Sequence, residues 1–159
     1  MKTLLLMRHA KSSWKDSHLP DQARPLNKRG QKDAPRMGKL LKESGLIPQR
    51  IYSSTAERAR QTAVAVAEKL GYGGEIIYLD ALYLAEPSAI VDVLKSVPDG
   101  IECVLVIGHN PGMEQLVQFL GHKTEPFPTA AVACIQLHIK QWIDLTPAVA
   151  SELQSLYYP

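Results

Sequence analysis

The chain has 159 residues, 18 Lys plus Arg against 16 Asp plus Glu, 45% apolar residues and two cysteines. One domain spanning residues 1–159 can bury a real core at that length, and the ordinary charge and aromatic contents exclude a disordered chain, a collagen-like fibre and a disulfide-stapled scaffold. The formal charge of +2 hides a division at residue 60: 14 basic and 5 acidic residues precede it, 4 basic and 11 acidic follow, so +9 stands against −7.

The apolar run Leu4 to Met7 suits a central parallel strand covered on both faces. It is too short for a signal peptide or a membrane span, so a cytoplasmic protein with no membrane partner is expected. A polar loop follows from Lys11 to Pro25. Asn27 to Glu43 then has the period of a helix with Met37, Leu40 and Leu41 inward, which Pro35 should kink or truly begin. Ile51 and Tyr52 form a short strand, and Ser54, Thr55, Ala56 and Glu57 spell a capping box for a helix reaching Leu70. Glu75 to Tyr78 is a further strand, and Pro87 to Val97 an amphipathic helix.

Cys103 to Ile107 is the strongest buried strand, and it runs into Gly108, His109, Asn110 and Pro111. Pro111 suits the first position of a helix extending to Leu120. Ala131 to Ile139 and the shorter run Trp142 to Leu145 are expected as strands, and Val149 to Leu156 as a terminal helix. Cys103 and Cys134 lack metal or redox spacing and read as reduced, buried small hydrophobes. Repeated strand and helix units imply an α/β three-layer sandwich: a mostly parallel central sheet with helices on both faces.

In open α/β sheets the ligand crevice lies beyond the carboxyl ends of the strands. Two buried strands each run into a histidine there, so His9 and His109 can face one crevice. Arg8 adjoins His9, and Arg58 follows a third short strand near a helix start, where its charge opposes the helix dipole unless an anion is close. Either histidine alone is as readily a structural group bonded to a loop carbonyl, and Arg58 alone a solvated helix residue. Their joint placement makes a positive pocket of phosphate size. All seven arginines, Arg8, Arg24, Arg29, Arg36, Arg50, Arg58 and Arg60, precede Gln61, so an arginine-based anion site must draw on this stretch. No basic tail or aromatic stripe points to nucleic acid. His18, His122 and His138 read as structural or solvated, with His138 alternating along a strand.

Other phosphate chemistries fail on spacing. There is no G-x-x-x-x-G-K loop, and the sixth residue after Cys103 is His109 and after Cys134 is Lys140, where a cysteine phosphatase needs arginine. No D-x-D pair or H-E-x-x-H motif suggests a metal hydrolase, so neither metal nor cofactor is expected.

Leu4-Leu5-Leu6-Met7-Arg8-His9-Ala10 resembles the strand and R-H-G signature of the histidine phosphatase (phosphoglycerate mutase-like) superfamily. Ser54 followed by Arg58-Ala59-Arg60-Gln61-Thr62-Ala63 is similar to its S-x-x-x-R-A-x-Q-T-A segment, and Val106-Ile107-Gly108-His109 to its second histidine. Arg24-Pro25-Leu26 with Gly30, the short length, and Pro128-Thr129-Ala130-Ala131 look like the SixA-type phosphohistidine phosphatases. Ala10 stands where the signature has glycine, and the superfamily's general acid has no clear counterpart.

The resemblance implies a phosphatase in which His9 attacks phosphorus and is transiently phosphorylated. Arg8 and Arg58 would hold the equatorial oxygens, His109 would donate a third hydrogen bond, and Arg24 would bind substrate. An alkoxide leaving group needs a proton that a phosphorylated imidazole can accept on its ring. Glu86 at a helix start is the best candidate acid, Asp16 a weaker one. The implied substrate is a phosphohistidine-containing signalling or phosphotransfer protein, reached through a pocket without a substantial lid. A broad phosphomonoesterase acting on small phosphorylated substrates and a non-catalytic phosphate-binding module are the alternatives.

Overall fold

The computed structural model describes residues 1–159. Strand β1 is Lys2–Arg8, and its Leu4, Leu5, Leu6 and Met7 are wholly buried, as a strand covered on both faces requires. The chain continues through α1 (Lys28–Glu43), β2 (Arg50–Ser54), α2 (Glu57–Leu70), β3 (Ile76–Leu79), α3 (Pro87–Lys95), β4 (Cys103–Gly108), α4 (Gly112–Gly121), β5 (Val132–Leu137) and β6 (Ser151–Tyr157). The strands form one sheet in the order β3-β2-β4-β1-β5-β6. Pairing is parallel from β3 to β1 and antiparallel from β1 through β5 to β6.

Period-two alternation along the strands divides the core. Leu4, Leu6, Val104 and Val106 pack with residues of α3 and α4 on one face, while Leu5, Met7, Leu105 and Ile107 meet α1 and α2 on the other. The result is the three-layer, mostly parallel α/β sandwich. No helix is long and apolar enough to cross a membrane.

Helix α1 begins where Asn27 accepts a hydrogen bond from the Gly30 amide, at 2.9 Å. Pro35 therefore lies inside the helix and does not begin it. Interior proline costs roughly 3 kcal/mol. Met37 and Leu41, both wholly buried beside it, each contribute about 1.5–3 kcal/mol and hold the turn in place.

Several local expectations fail for identifiable reasons. Ser54 is the last residue of β2 and not a helix cap; Ala56 holds the cap position without a side-chain bond, and Glu57, the first helical residue, accepts from Gln61. Pro111 is the residue preceding α4 and not its first turn. Trp142–Asp144 is a 3-10 turn, since the fully buried indole donates to the Ile101 carbonyl at 2.7 Å and turns the chain inward. The segment expected as a terminal helix is β6: Val149, Leu153 and Leu156 have helical spacing, but the unpaired edge of β5 captures the chain into a ladder. His138 lies beyond the end of β5, exposed.

Candidate active site

Strands β1 and β4 are neighbours with Arg8 opposite Gly108, so the residues that follow, His9 and His109, leave the sheet side by side. The His9 amide donates to the Gly108 carbonyl at 2.9 Å. The two ring centroids lie 5.1 Å apart, and both residues are buried. Arg58 enters from the first turn of α2 and places a guanidinium nitrogen 3.4 Å from His109 Nδ1. Arg8, at the end of β1, donates to the Phe127 carbonyl at 3.3 Å.

These side chains line one cavity of about 270 Å3, together with Lys11, Ser12, Trp14, Asp21, Arg24, Leu84, Asn110 and Thr129. Four cations, Arg8, Lys11, Arg24 and Arg58, oppose one carboxylate, Asp21. Two buried guanidinium nitrogens, Arg8 Nε and Arg58 Nε, have no partner in the protein. Buried donors of that kind are costly to leave unpaired, and both belong to arginines that line this cavity.

Hydrogen-bond chemistry assigns the imidazole tautomers. His9 Nδ1 is 2.7 Å from the Ala10 carbonyl, which can only accept, so Nδ1 carries the proton and Nε2 keeps a lone pair. Burial lowers the His9 pKa to about 4, with the charges of Arg58, Arg8 and Arg24 acting in the same direction against the Ala10 bond. The ring is thus neutral near pH 7. Arg58 can only donate to His109 Nδ1, so His109 Nε2 carries its proton and donates to Ser54 Oγ at 2.8 Å. Burial, then the neighbouring His9, lowers the His109 pKa to about 3. Donation from Nδ1 to an oxyanion therefore requires an added proton, which an approaching dianion would favour.

The segment from Ser54 to Ala63 divides its labour. Arg58 reaches the cavity, Ala59 and Ala63 are wholly buried in the core, and Gln61 accepts from the Leu26 amide at 2.9 Å. Thr62 Oγ1 accepts from the Ala10 amide at 3.0 Å and donates to the Arg58 carbonyl at 2.7 Å, tying the loop that orients His9 to the helix that carries Arg58. Gly30 is needed for close approach: a Cβ there would meet the Lys11 carbonyl oxygen at 2.1 Å.

Arg24 is buried and donates to Ser12 Oγ at 2.8 Å and to the Ser13 carbonyl at 3.1 Å. It also pairs with Asp21 at 3.2 Å. Asp21 is the one carboxylate of the site, and the sequence alone does not single it out. Its carboxylate accepts from Arg58 at 3.0 Å and from the Tyr83 hydroxyl, while its carbonyl accepts from Arg58 at 2.8 Å. The Tyr83 hydrogen bond, then Arg58, holds the Asp21 carboxyl at a pKa of about 2 despite partial desolvation. Its place three residues before Arg24 was the available signal, but Arg58 and Tyr83 are distant in the chain.

Glu86 is exposed at the start of α3 and lines the adjoining groove with Leu84, Pro111 and Gly112, not the cavity that holds His9. Asp16, His18 and His122 are exposed and outside the cavity. No group of three or more His, Cys, Asp or Glu side chains is disposed to hold a metal ion.

Known proteins resemble this chain in sequence and in architecture. An uncharacterized protein of Mycobacterium tuberculosis (strain H37Rv) is 31% identical over 156 residues, covering 91% of this chain and 95% of the relative. A structure from Agrobacterium tumefaciens assigned as phosphohistidine phosphatase SixA superposes with a TM-score of 0.85 at 26% identity, covering 99% of this chain and 98% of that one. One from Nakamurella multipartitia with the same assignment gives 0.83 at 28%, covering 99% and 96%. The family model of the histidine phosphatase superfamily (branch 1) matches residues 4–83, the span that supplies His9, Asp21, Arg24 and Arg58. The chain belongs to the histidine phosphatase superfamily, with the phosphatase chemistry that this family's name carries.

Proposed function

We propose that residues 1–159 act as one catalytic domain that removes the phosphoryl group from phosphohistidine on a signalling or phosphotransfer protein, through a phosphorylated His9 and without a metal. The observation that carries this reading is the fixed tautomer of His9: its Nδ1 proton is committed to Ala10, which leaves Nε2 with a lone pair, in a residue that lines the same cavity as Arg8, Arg24 and Arg58. That nitrogen attacks phosphorus in line, the bond to the departing imidazole breaks, and phospho-His9 forms. Arg8 and Arg58 hold the phosphoryl oxygens, with His109 donating once it has taken a proton. Arg24 supports the substrate end of the pocket. Water then attacks phospho-His9, releasing inorganic phosphate and restoring the neutral ring.

The leaving group decides between substrates. Alkoxide departure calls for a proton donor, yet the cavity's one carboxyl, Asp21, is held ionised and Glu86 lies outside. A ring-protonated phosphohistidine departs as neutral imidazole and needs no such donor. The resemblance to structures assigned as phosphohistidine phosphatases points the same way.

The test is phosphate release from a phosphohistidine-bearing protein. Wild type is expected to turn it over, and His9→Ala to lose at least roughly a thousandfold in kcat and to yield no covalently labelled enzyme. A fully active His9→Ala protein would overturn the assignment of the nucleophile.

A further inference from the structure

The cavity is polar except at two places. Of the residues that line it, Trp14 and Leu84 are the large apolar ones, and they come from separate loops. Trp14 is 72% exposed and Leu84 54%, although the site around them is buried. Isolated exposed apolar side chains are common and need no explanation. These two are held where they are. The Trp14 ring lies over the buried Arg24 guanidinium, 3.5 Å from Cζ to the ring centroid, so one face is anchored and the rest of the indole is open. Leu84 has φ of +49°, a left-handed conformation that disfavours a bulky side chain and that the fold nevertheless maintains.

A phosphoryl group occupies only part of a cavity of about 270 Å3, and its oxygens belong with the arginines. Trp14 and Leu84 are then the large apolar surfaces that the lining offers to whatever the phosphorus is attached to. A flat apolar ring gains stacking and dispersion contact there, whereas a small hydrated leaving group gains nothing. We propose that Trp14 and Leu84 form an apolar rim that selects phosphoryl donors whose leaving group is a planar ring, Trp14 acting as the specificity-determining platform. This rests on the phosphohistidine reading above and adds the residues that recognise the imidazole.

The experiment compares phosphohistidine with phosphoramidate, which has the same P–N bond and no ring. In Trp14→Ala the ratio of kcat/KM for phosphohistidine over phosphoramidate should fall about two- to tenfold, mainly through KM. Trp14→Phe should recover most of it, and Leu84→Ala should lower it by a smaller factor. A second readout is acrylamide quenching of indole fluorescence in His9→Ala, in which turnover is blocked. Phosphohistidine should protect exposed Trp14, and phosphoramidate should not; Trp142, fully buried, is outside the quencher's reach. An unchanged ratio without protection overturns the proposal, and so does an equal loss on both donors, which would make Trp14 only a support for Arg24. If wild type hydrolyses neither donor, the phosphohistidine reading fails, while the quenching measurement still decides the rim.

Discussion

The floor and the mouth of the cavity are built in different ways. At the floor, His9, His109 and Arg58 are buried, issue from strand ends or the first turn of a helix, and are tied together by Ala10, Ser54, Asp21 and Thr62. Arg8, at the end of β1, completes it. At the mouth, Lys11, Trp14 and Leu84 lie on loops, with Trp14 and Leu84 well exposed and no hydrogen-bond lattice around their side chains. The floor handles what all phosphoryl donors share. The mouth meets the part in which donors differ, so rate and selectivity should be separable by mutation.

Loss of a floor residue should therefore cost every donor alike. Arg58→Ala is expected to lower kcat by about 10²–10³-fold on phosphohistidine and phosphoramidate equally, because the proposed mechanism has this guanidinium hold the phosphoryl oxygens and it also anchors Asp21 and His109. A loss confined to one donor in steady-state kinetics would erase the division between floor and mouth.

Acidity gives a sharper view of the floor. On the proposed mechanism His9 attacks only as the neutral ring, so the acid limb of kcat/KM should be centred on its pKa of about 4 and fall about tenfold per pH unit below it, while the alkaline side declines as the ring proton of the substrate and the proton that His109 must take are lost. An acid limb centred near 6.5 would mean that the ring is not shielded. Stability should move over a wider window. The folded-state pKa values of His9 and His109, about 4 and about 3, lie below the ordinary 6.5, so the unfolded chain binds more protons across that interval. Stability is then fully present above pH 6.5 and is lost as pH falls toward 3, read as a declining urea midpoint.

The smallest effect tests how far the floor depends on its supports. Thr62→Val keeps the shape of the side chain but leaves the Ala10 amide without its acceptor, at a cost of about 1–3 kcal/mol. The melting temperature should drop and kcat should fall several-fold, with the ratio between donors unchanged. A shift in that ratio would connect the supports of the floor to the mouth.

Parallel strands were the most legible part of the fold because burial on both faces leaves a continuous apolar run: Leu4 to Met7 and Val104 to Ile107 announce themselves. The antiparallel edge did not. Along β6 the buried or half-buried residues alternate imperfectly, and β5 opposite it shifts register between Cys134 and Ile135, so Val149, Leu153 and Leu156 imitate a helix. In the site, His9 and His109 were legible because each follows such a run. The roles of Asp21 and Thr62 are hidden, since their partners Arg58, Tyr83 and Ala10 come near only after folding. Ser54 misleads for the same reason: its hydroxyl accepts locally from the Ala56 amide, and also from His109 just beyond the end of the neighbouring strand.

The pairing of Arg8 with Gly108 has a consequence for how such a protein can vary. Inserting a single residue within either central strand would slip the ladder and send one imidazole toward the opposite helical layer, whereas lengthening the surface connections would leave the pair intact. New substrate preferences should therefore arise by growth and substitution in the loops, over an inner frame whose spacing tolerates no such drift.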